Sequence, residues 1–226
     1  MSYGVQFINN NNVVTLDSEY ARLMVISSGR YLPNQDGGMG SVTTFPVAVT
    51  SQEPPLVFVR PDTVNAIAGM CQVRIIGSAG NWTGFYMRAY NTSISNLNGR
   101  YFVAAFAAQA IAQYGVRMWG ASGQLLFDSG TPSANFTRAF QNWSYVKNDL
   151  TDQGLTRIYY SVPFNFPQDE FLLLNTFGMN MTSGSGIPRN LYCWWDFPNN
   201  ALYAITVAAT NPTAFFLPAV FAKMTA

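Results

Sequence analysis

Apolar and polar residues alternate along this chain in short runs, and Gly, Pro, Asn and Ser punctuate the runs. A period of two broken by turn formers is the mark of antiparallel β structure. The pattern predicts strands over Gly4–Phe7, Val13–Leu16, Leu56–Arg60, Gln72–Ile76, Phe85–Tyr90 and Arg100–Phe106. In the second half it predicts Val116–Trp119, Leu125–Phe127, Arg157–Val162, Phe171–Leu174, Leu191–Trp195, Ala201–Val207 and Phe215–Phe221. One stretch, Ala104–Gln113, places Phe106, Ala110 and Ile111 at helical spacing. Alanine tolerates both states, and the stretch reads as a strand running into a linker.

The pattern repeats. Tyr3-Gly-Val-Gln-Phe-Ile-Asn-Asn-Asn-Asn-Val-Val-Thr-Leu-Asp17-Ser18 aligns without a gap on Tyr114-Gly-Val-Arg-Met-Trp-Gly-Ala-Ser-Gly-Gln-Leu-Leu-Phe-Asp128-Ser129. The shared frame is Tyr-Gly-Val, a strand, a polar turn, a second strand and Asp-Ser. The turns Asn9–Asn12 and Gly120–Gly123 hold residues that accept the positive φ a tight hairpin needs. Asp17 and Asp128 fall at strand ends, where a carboxylate can accept from amides two residues on. Weaker echoes follow in the same order: Pro55–Val59 with Glu170–Leu174, Phe85–Ala89 with Leu202–Thr206, and Tyr101–Ala105 with Phe215–Ala219. An ordered series at a nearly constant offset predicts an all-β protein of two tandem β-sandwich domains, 1–113 and 114–226, related by internal duplication. One large β-sandwich carrying both hairpins is the alternative.

Composition narrows the chemistry. The 226 residues are 49% hydrophobic and 15% aromatic but only 10% charged, and none is histidine. Such a chain can bury a large core. Without imidazole, neither a Ser-His-Asp nor a Cys-His nucleophile can be assembled, and the commonest metal ligand is missing. Twelve Lys and Arg against eleven Asp and Glu leave a net charge of +1, which is no footprint for nucleic acid. The two cysteines, Cys71 and Cys193, are too few for a disulfide framework and read as reduced, buried thiols, with a single long-range bridge between them as the alternative. No secretory signal is visible at Met1–Phe7, and the apolar run Tyr101–Ala112 is too short to span a bilayer. The expectation is a soluble chain made in a cytoplasm.

Each candidate for chemistry has a structural explanation beside it. Asp149 with Asp152, Asp169 with Glu170, and Asp196 are the carboxylates a histidine-free glycosidase would draw on, yet the first two pairs lie in polar turn sequences. No Asp-rich calcium pattern and no phosphate loop is present. No catalytic residue, cofactor or metal is therefore expected. The run Tyr192-Cys193-Trp194-Trp195-Asp196 is the most distinctive local composition. Exposed Trp beside Asp and Asn can stack on sugar rings, so Tyr192, Trp194, Trp195 and Asp196 form a candidate carbohydrate or interface site. The competing reading turns Cys193 and Trp195 into the core and leaves Trp194 to pack against a subunit.

At the repeated hairpin, with Tyr3, Gly4, Asp17 and Ser18 in one copy and Tyr114, Gly115, Asp128 and Ser129 in the other, the sequence resembles small tail-associated proteins of tailed bacteriophages. That resemblance implies a virion structural protein of the tail tip, baseplate or fibre, assembled in the host cytoplasm. Its partners would be other phage tail proteins, with a homo-oligomer, often a trimer, and a host-surface glycan or protein for attachment. It brings no catalytic residues, no nucleic acid and no membrane insertion. Tyr31–Ser51 and Phe177–Pro188 match nothing in it and are candidates for receptor specificity.

Overall fold

The structure is a computed structural model and describes residues 6–12, 14–17, 21–63, 68–89, 97–178, 181–182, 188–209 and 214–225. In the N-terminal half these form β1 (Gln6–Ile8), β2 (Val14–Asp17), β3 (Leu23–Tyr31), β4 (Gly40–Val49), β5 (Leu56–Pro61), β6 (Ala68–Ser78), β7 (Asn81–Arg88) and β8 (Gly99–Phe106). The C-terminal half adds β9 (Arg117–Trp119), β10 (Leu125–Asp128), β11 (Ser133–Phe140), β12 (Ser144–Leu150), β13 (Thr156–Pro163) and β14 (Phe171–Leu173). It ends with β15 (Met181–Thr182), β16 (Pro188–Asp196), β17 (Ala201–Ala208) and β18 (Ala219–Thr225). Two 3-10 turns, Asp36–Gly38 and Asn175–Gly178, are the only helical residues described. The all-β expectation holds.

Six strands close a barrel in the order β11-β18-β14-β5-β8-β3, and a larger sheet runs β12-β13-β17-β16-β6-β7-β4 with β15 beside β16. Each order is a palindrome of the duplication. In the barrel β3, β8 and β5 answer β11, β18 and β14. In the sheet β6, β7 and β4 answer β16, β17 and β13. The two halves therefore meet across a pseudo-twofold axis at three seams: β5 with β14, β6 with β16, and β3 with β11. Even an irregularity is shared. The β3–β8 ladder slips between Val25 and Ser27, and the β11–β18 ladder between Phe136 and Arg138, at matching places in the repeat. Among the described strands, β12 and the two-residue β15 lack an N-terminal counterpart in this scheme.

The seams correct one expectation. Residues 1–113 and 114–226 do not form two tandem sandwiches, because each half gives three strands to the barrel and at least three to the sheet. Pulling the halves apart would break hydrogen bonds between them, as at Leu174 N–H to Val57 O, 2.7 Å. The alternative, one larger body, is what the pairing gives. A second correction concerns the last strand, which begins at Ala219 rather than Phe215. Its partner Phe221 faces Leu172 as Val103 faces Val57, so β8 corresponds to β18 and not to Phe215–Ala219.

Alternation sorts the core into two layers. Leu23, Val25, Phe58, Phe102, Ala104, Ala134, Phe171 and Ala222 come from all six barrel strands and fill its lumen. Phe58 stacks on Phe102 at 4.6 Å between ring centroids, and Phe171 meets Phe102 edge-on at 5.1 Å. The intervening residues, among them Val57, Val59, Val103, Leu172 and Phe221, pack outward against Met70, Phe85, Tyr160, Cys193, Trp195 and Leu202 of the large sheet. Barrel wall and sheet thus enclose one core contributed by both halves.

Candidate functional site

Tyr3, Gly4 and Ser18 of the first hairpin copy lie outside the described residues, and Asp17 closes β2. The second copy shows what the motif does. Among the described residues β9 and β10 pair only with each other, around a turn closed by Gly120 N–H to Gln124 O at 2.8 Å. Gly123 takes a φ of 81° there, as the turn chemistry predicts. Asp128 ends β10 fully buried and accepts from the amides of Gly130 at 2.9 Å and Ala112 at 3.1 Å and from Arg117 Nε at 2.6 Å. Arg117 also donates to Ala112 O at 2.6 Å. Ser129 Oγ accepts from Val116 N–H at 3.1 Å.

Gly115 and Ser129 explain each other. Gly115 has a φ of 142°, and a Cβ there would overlap Ser129 Oγ. The Gly of Tyr-Gly-Val is thus the space into which the Ser of Asp-Ser fits. Burial alone would push the Asp128 carboxyl up, but the Arg117 guanidinium and the two amides outweigh it and hold it below its ordinary value. The motif is a clasp that fixes the linker after β8 against the hairpin. Tyr114 (94% exposed), Val116 and Trp119 are left in solvent, as are Phe7 and Ile8 at the corresponding hairpin.

The aromatic run divides by strand parity. Trp195 is fully buried in the intersheet core, stacked on Phe166 at 5.4 Å, and Cys193 lies beside it. Asp196 is buried too and accepts from the backbone and side-chain amides of Asn199 at 3.2 and 2.8 Å. Trp195 and Asp196 therefore leave the candidate ligand site, because the strand turns the first inward and a tight turn consumes the second. Tyr192 and Trp194 remain on the outer face of the sheet, half-buried with Tyr203 around Tyr159, Ile205 and Val207. Trp194 meets Tyr159 edge-on at 6.3 Å, and Lys147 Nζ sits 4.7 Å above the Tyr159 ring. A partly exposed aromatic face with Lys147 at its edge suits stacking on a flat apolar surface, a sugar face or another protein.

The remaining carboxylates are engaged with arginines or exposed. Asp149 binds Arg157 at 2.5 Å, Glu170 binds Arg138 at 2.9 Å, and Asp152 and Asp169 lie exposed in turns. Among the described residues no group of His, Cys, Asp and Glu is arranged to hold a metal ion, and no helix is long and apolar enough to cross a membrane. Cys71 and Cys193 are both free and buried.

One cluster escaped the sequence. Arg30, Arg100 and Arg60 stand at directly opposed positions on β3, β8 and β5, three like charges in a row at one end of the barrel. Arg30 pairs with Asp62, and Arg100 donates to Gln168 O at 2.7 Å. Arg60 is buried and satisfied by neutral partners, Phe166 O, Pro167 O, Pro61 O and Thr63 Oγ1. Burial, then the neighbouring Arg100, pulls its pKa down. Arg60 closes an apolar run and Arg100 opens one, but their common level with Arg30 depends on register, which local sequence does not show.

The fold and the clasp define an all-β protein of two interleaved, related halves that carries paired hairpins. No protein-family model matches the chain, nor does any curated protein or solved structure.

Proposed function

We propose that this chain is a structural component of a bacteriophage tail, at the tail tip, baseplate or fibre, acting in assembly and in host attachment. It would be assembled in the host cytoplasm and carried in the virion as a homo-oligomer among other tail proteins. The observation that supports this reading most is the repeated hairpin on which the resemblance rests. Its C-terminal copy is a two-stranded ribbon with apolar side chains in solvent, clasped by Asp128 to the linker that follows β8. A ribbon of two strands is marginal by itself and gains stability from a neighbour. A rigid body with two such ribbons suits permanent interfaces, where apolar side chains and few charges are favoured.

Mass spectrometry and cryo-microscopy of purified particles test the proposal. The chain is expected at fixed stoichiometry in the tail, with a hairpin touching another tail protein. Absence from particles made by a host expressing it would refute the role. No enzymatic step, nucleic acid or membrane insertion is proposed.

A second reading, a receptor- or carbohydrate-binding module, is favoured by the outer aromatic face of Tyr192, Trp194, Tyr203 and Tyr159. A glycan array with the purified chain tests it, with Trp194→Ala as control. Signal lost in that variant supports sugar stacking, and a flat array ends the idea for the isolated chain.

A further inference from the structure

We infer that β12 is a self-pairing edge, through which two copies of this chain join antiparallel strands about a twofold axis at Asn148. The inference goes beyond the tail role and does not depend on it. β12 is an outermost strand of the large sheet, hydrogen-bonded on one side to β13 and to no described strand on the other. All of its residues except Asp149 are exposed, including Tyr145, Val146 and Leu150. Within the main path of the large sheet it is also the strand that the duplication leaves unmatched, since β4 answers β13. The C-terminal half has therefore added an edge that the pseudo-twofold body does not need.

An exposed edge with apolar residues invites another strand, and lysine on an edge normally repels one. Here the charges favour a particular guest. Lys147 and Asp149 flank Asn148. In an antiparallel copy centred on Asn148, each Lys147 stands opposite Asp149 of the second copy, and each Val146 stands opposite Leu150. Opposite charges and apolar pairs at directly facing positions stabilise a ladder, and like charges there destabilise it. Within one chain Asp149 already bridges Lys147 at 3.8 Å and Arg157 at 2.5 Å. The second copy would extend that chain of charges across the axis.

Hydrogen-bond phase allows the same register. Thr151 N–H donates to Leu155 O at 2.8 Å where the β12–β13 hairpin closes. Strict alternation from that bond directs the N–H and C=O of Leu150 and Asn148 away from β13. Arg157 Nη2 reaches Leu150 O from the side at 3.2 Å, as an outward carbonyl permits. Pairing about Asn148 uses these outward groups, and it puts Lys147 and Asp149 at the closer, non-hydrogen-bonded positions of the new ladder. The ladder slips between Tyr145 and Lys147, which confines regular pairing to Val146–Leu150. Such a contact buries less than the ~800 Å² per partner of a standard interface, so the dimer is reversible. It is isologous and closes at two copies, unlike the trimer that the resemblance implies.

Sedimentation equilibrium on the whole chain over a wide concentration range tests this. The mass is expected to rise from one chain to two. Lys147→Asp and Asp149→Lys should each weaken association roughly tenfold or more, since each sets like charges opposite one another at both ends of the strand. Mixed in equal amounts, the two variants should dimerise again, because every Asp then faces a Lys. Misfolding of either variant cannot produce that rescue, and thermal melts of each confirm the fold. A wild type that stays monomeric or reaches three copies overturns the inference, as does a dimer indifferent to both substitutions or mixed variants that stay apart. A trimer would leave the tail role standing, and a dimer absent from particles would remove that role without touching β12.

Discussion

Asp128 shows how a single side chain holds the repeat motif together. Its carboxylate is buried, charged and satisfied by two amides and a guanidinium. Because the folded pKa lies below the ordinary 3.8, the stabilisation is full above that value and disappears as pH falls through the folded one. Asp128→Asn should therefore melt several degrees below wild type at pH 7, with the gap closing toward pH 3. A gap that is constant over that range would show that the charge on Asp128 contributes nothing. Cys71 and Cys193 carry the second prediction at this scale. Burial pushes the Cys71 thiol up to about 12 and raises Cys193 as well. The thiolate is the reactive form, so a thiol reagent at pH 8 should label neither residue in the native chain and both in denaturant. The two cannot bridge: Cys193 faces Met70 across the β6–β16 ladder, which turns the neighbouring Cys71 to the opposite face.

Among elements, the barrel strands and the hairpin ribbon should answer truncation differently. Phe58 on β5 is fully buried and contacts Phe102 and Phe136. Phe58→Ala should cost about 3–5 kcal/mol in urea denaturation. Trp119→Ala, at an exposed position of the ribbon, should fall within about 0.5 kcal/mol of wild type. A large loss at Trp119 would mean that the ribbon packs on the body. Strands such as β5, β7, β16 and β17 were legible because they alternate or are apolar throughout. β3, β4, β11, β12 and the two-residue β15 were missed, the first four each for a physical reason. β3 and β11 carry the ladder slip that breaks a period of two, β4 contains Pro46, and β12 is an edge strand with no buried face to enforce alternation. For the site, parity within the Tyr192–Asp196 strand could be read as an alternative from the sequence. The facing arginines 30, 60 and 100 could not, since local pattern says nothing about which strands become neighbours.

For the whole molecule, duplication was visible in the sequence but its arrangement was not, because a repeat fixes which strands correspond and leaves open which half each one pairs with. The answer has a mechanical consequence. The seams β5–β14, β6–β16 and β3–β11 all cross between halves, and the main core draws on both. A half alone would expose unpaired strand edges and one wall of that core, a loss no short linker can offset. The covalent link itself matters little, since residues 107–116 run outside the strands and Ile111 is exposed. Cleavage in that linker should therefore leave both pieces together, eluting as one folded particle of unchanged mass. Expressed separately, neither 1–113 nor 114–226 should give a folded monomer, as judged by cooperative melting and dispersed amide resonances. Mixed during refolding, the two should recover the intact chain's spectrum. Because the halves are related by a pseudo-twofold, either one alone could pair only with its own copy, and a concentration-dependent mass would reveal it. A cooperatively folded monomer of one half would contradict the three seams directly.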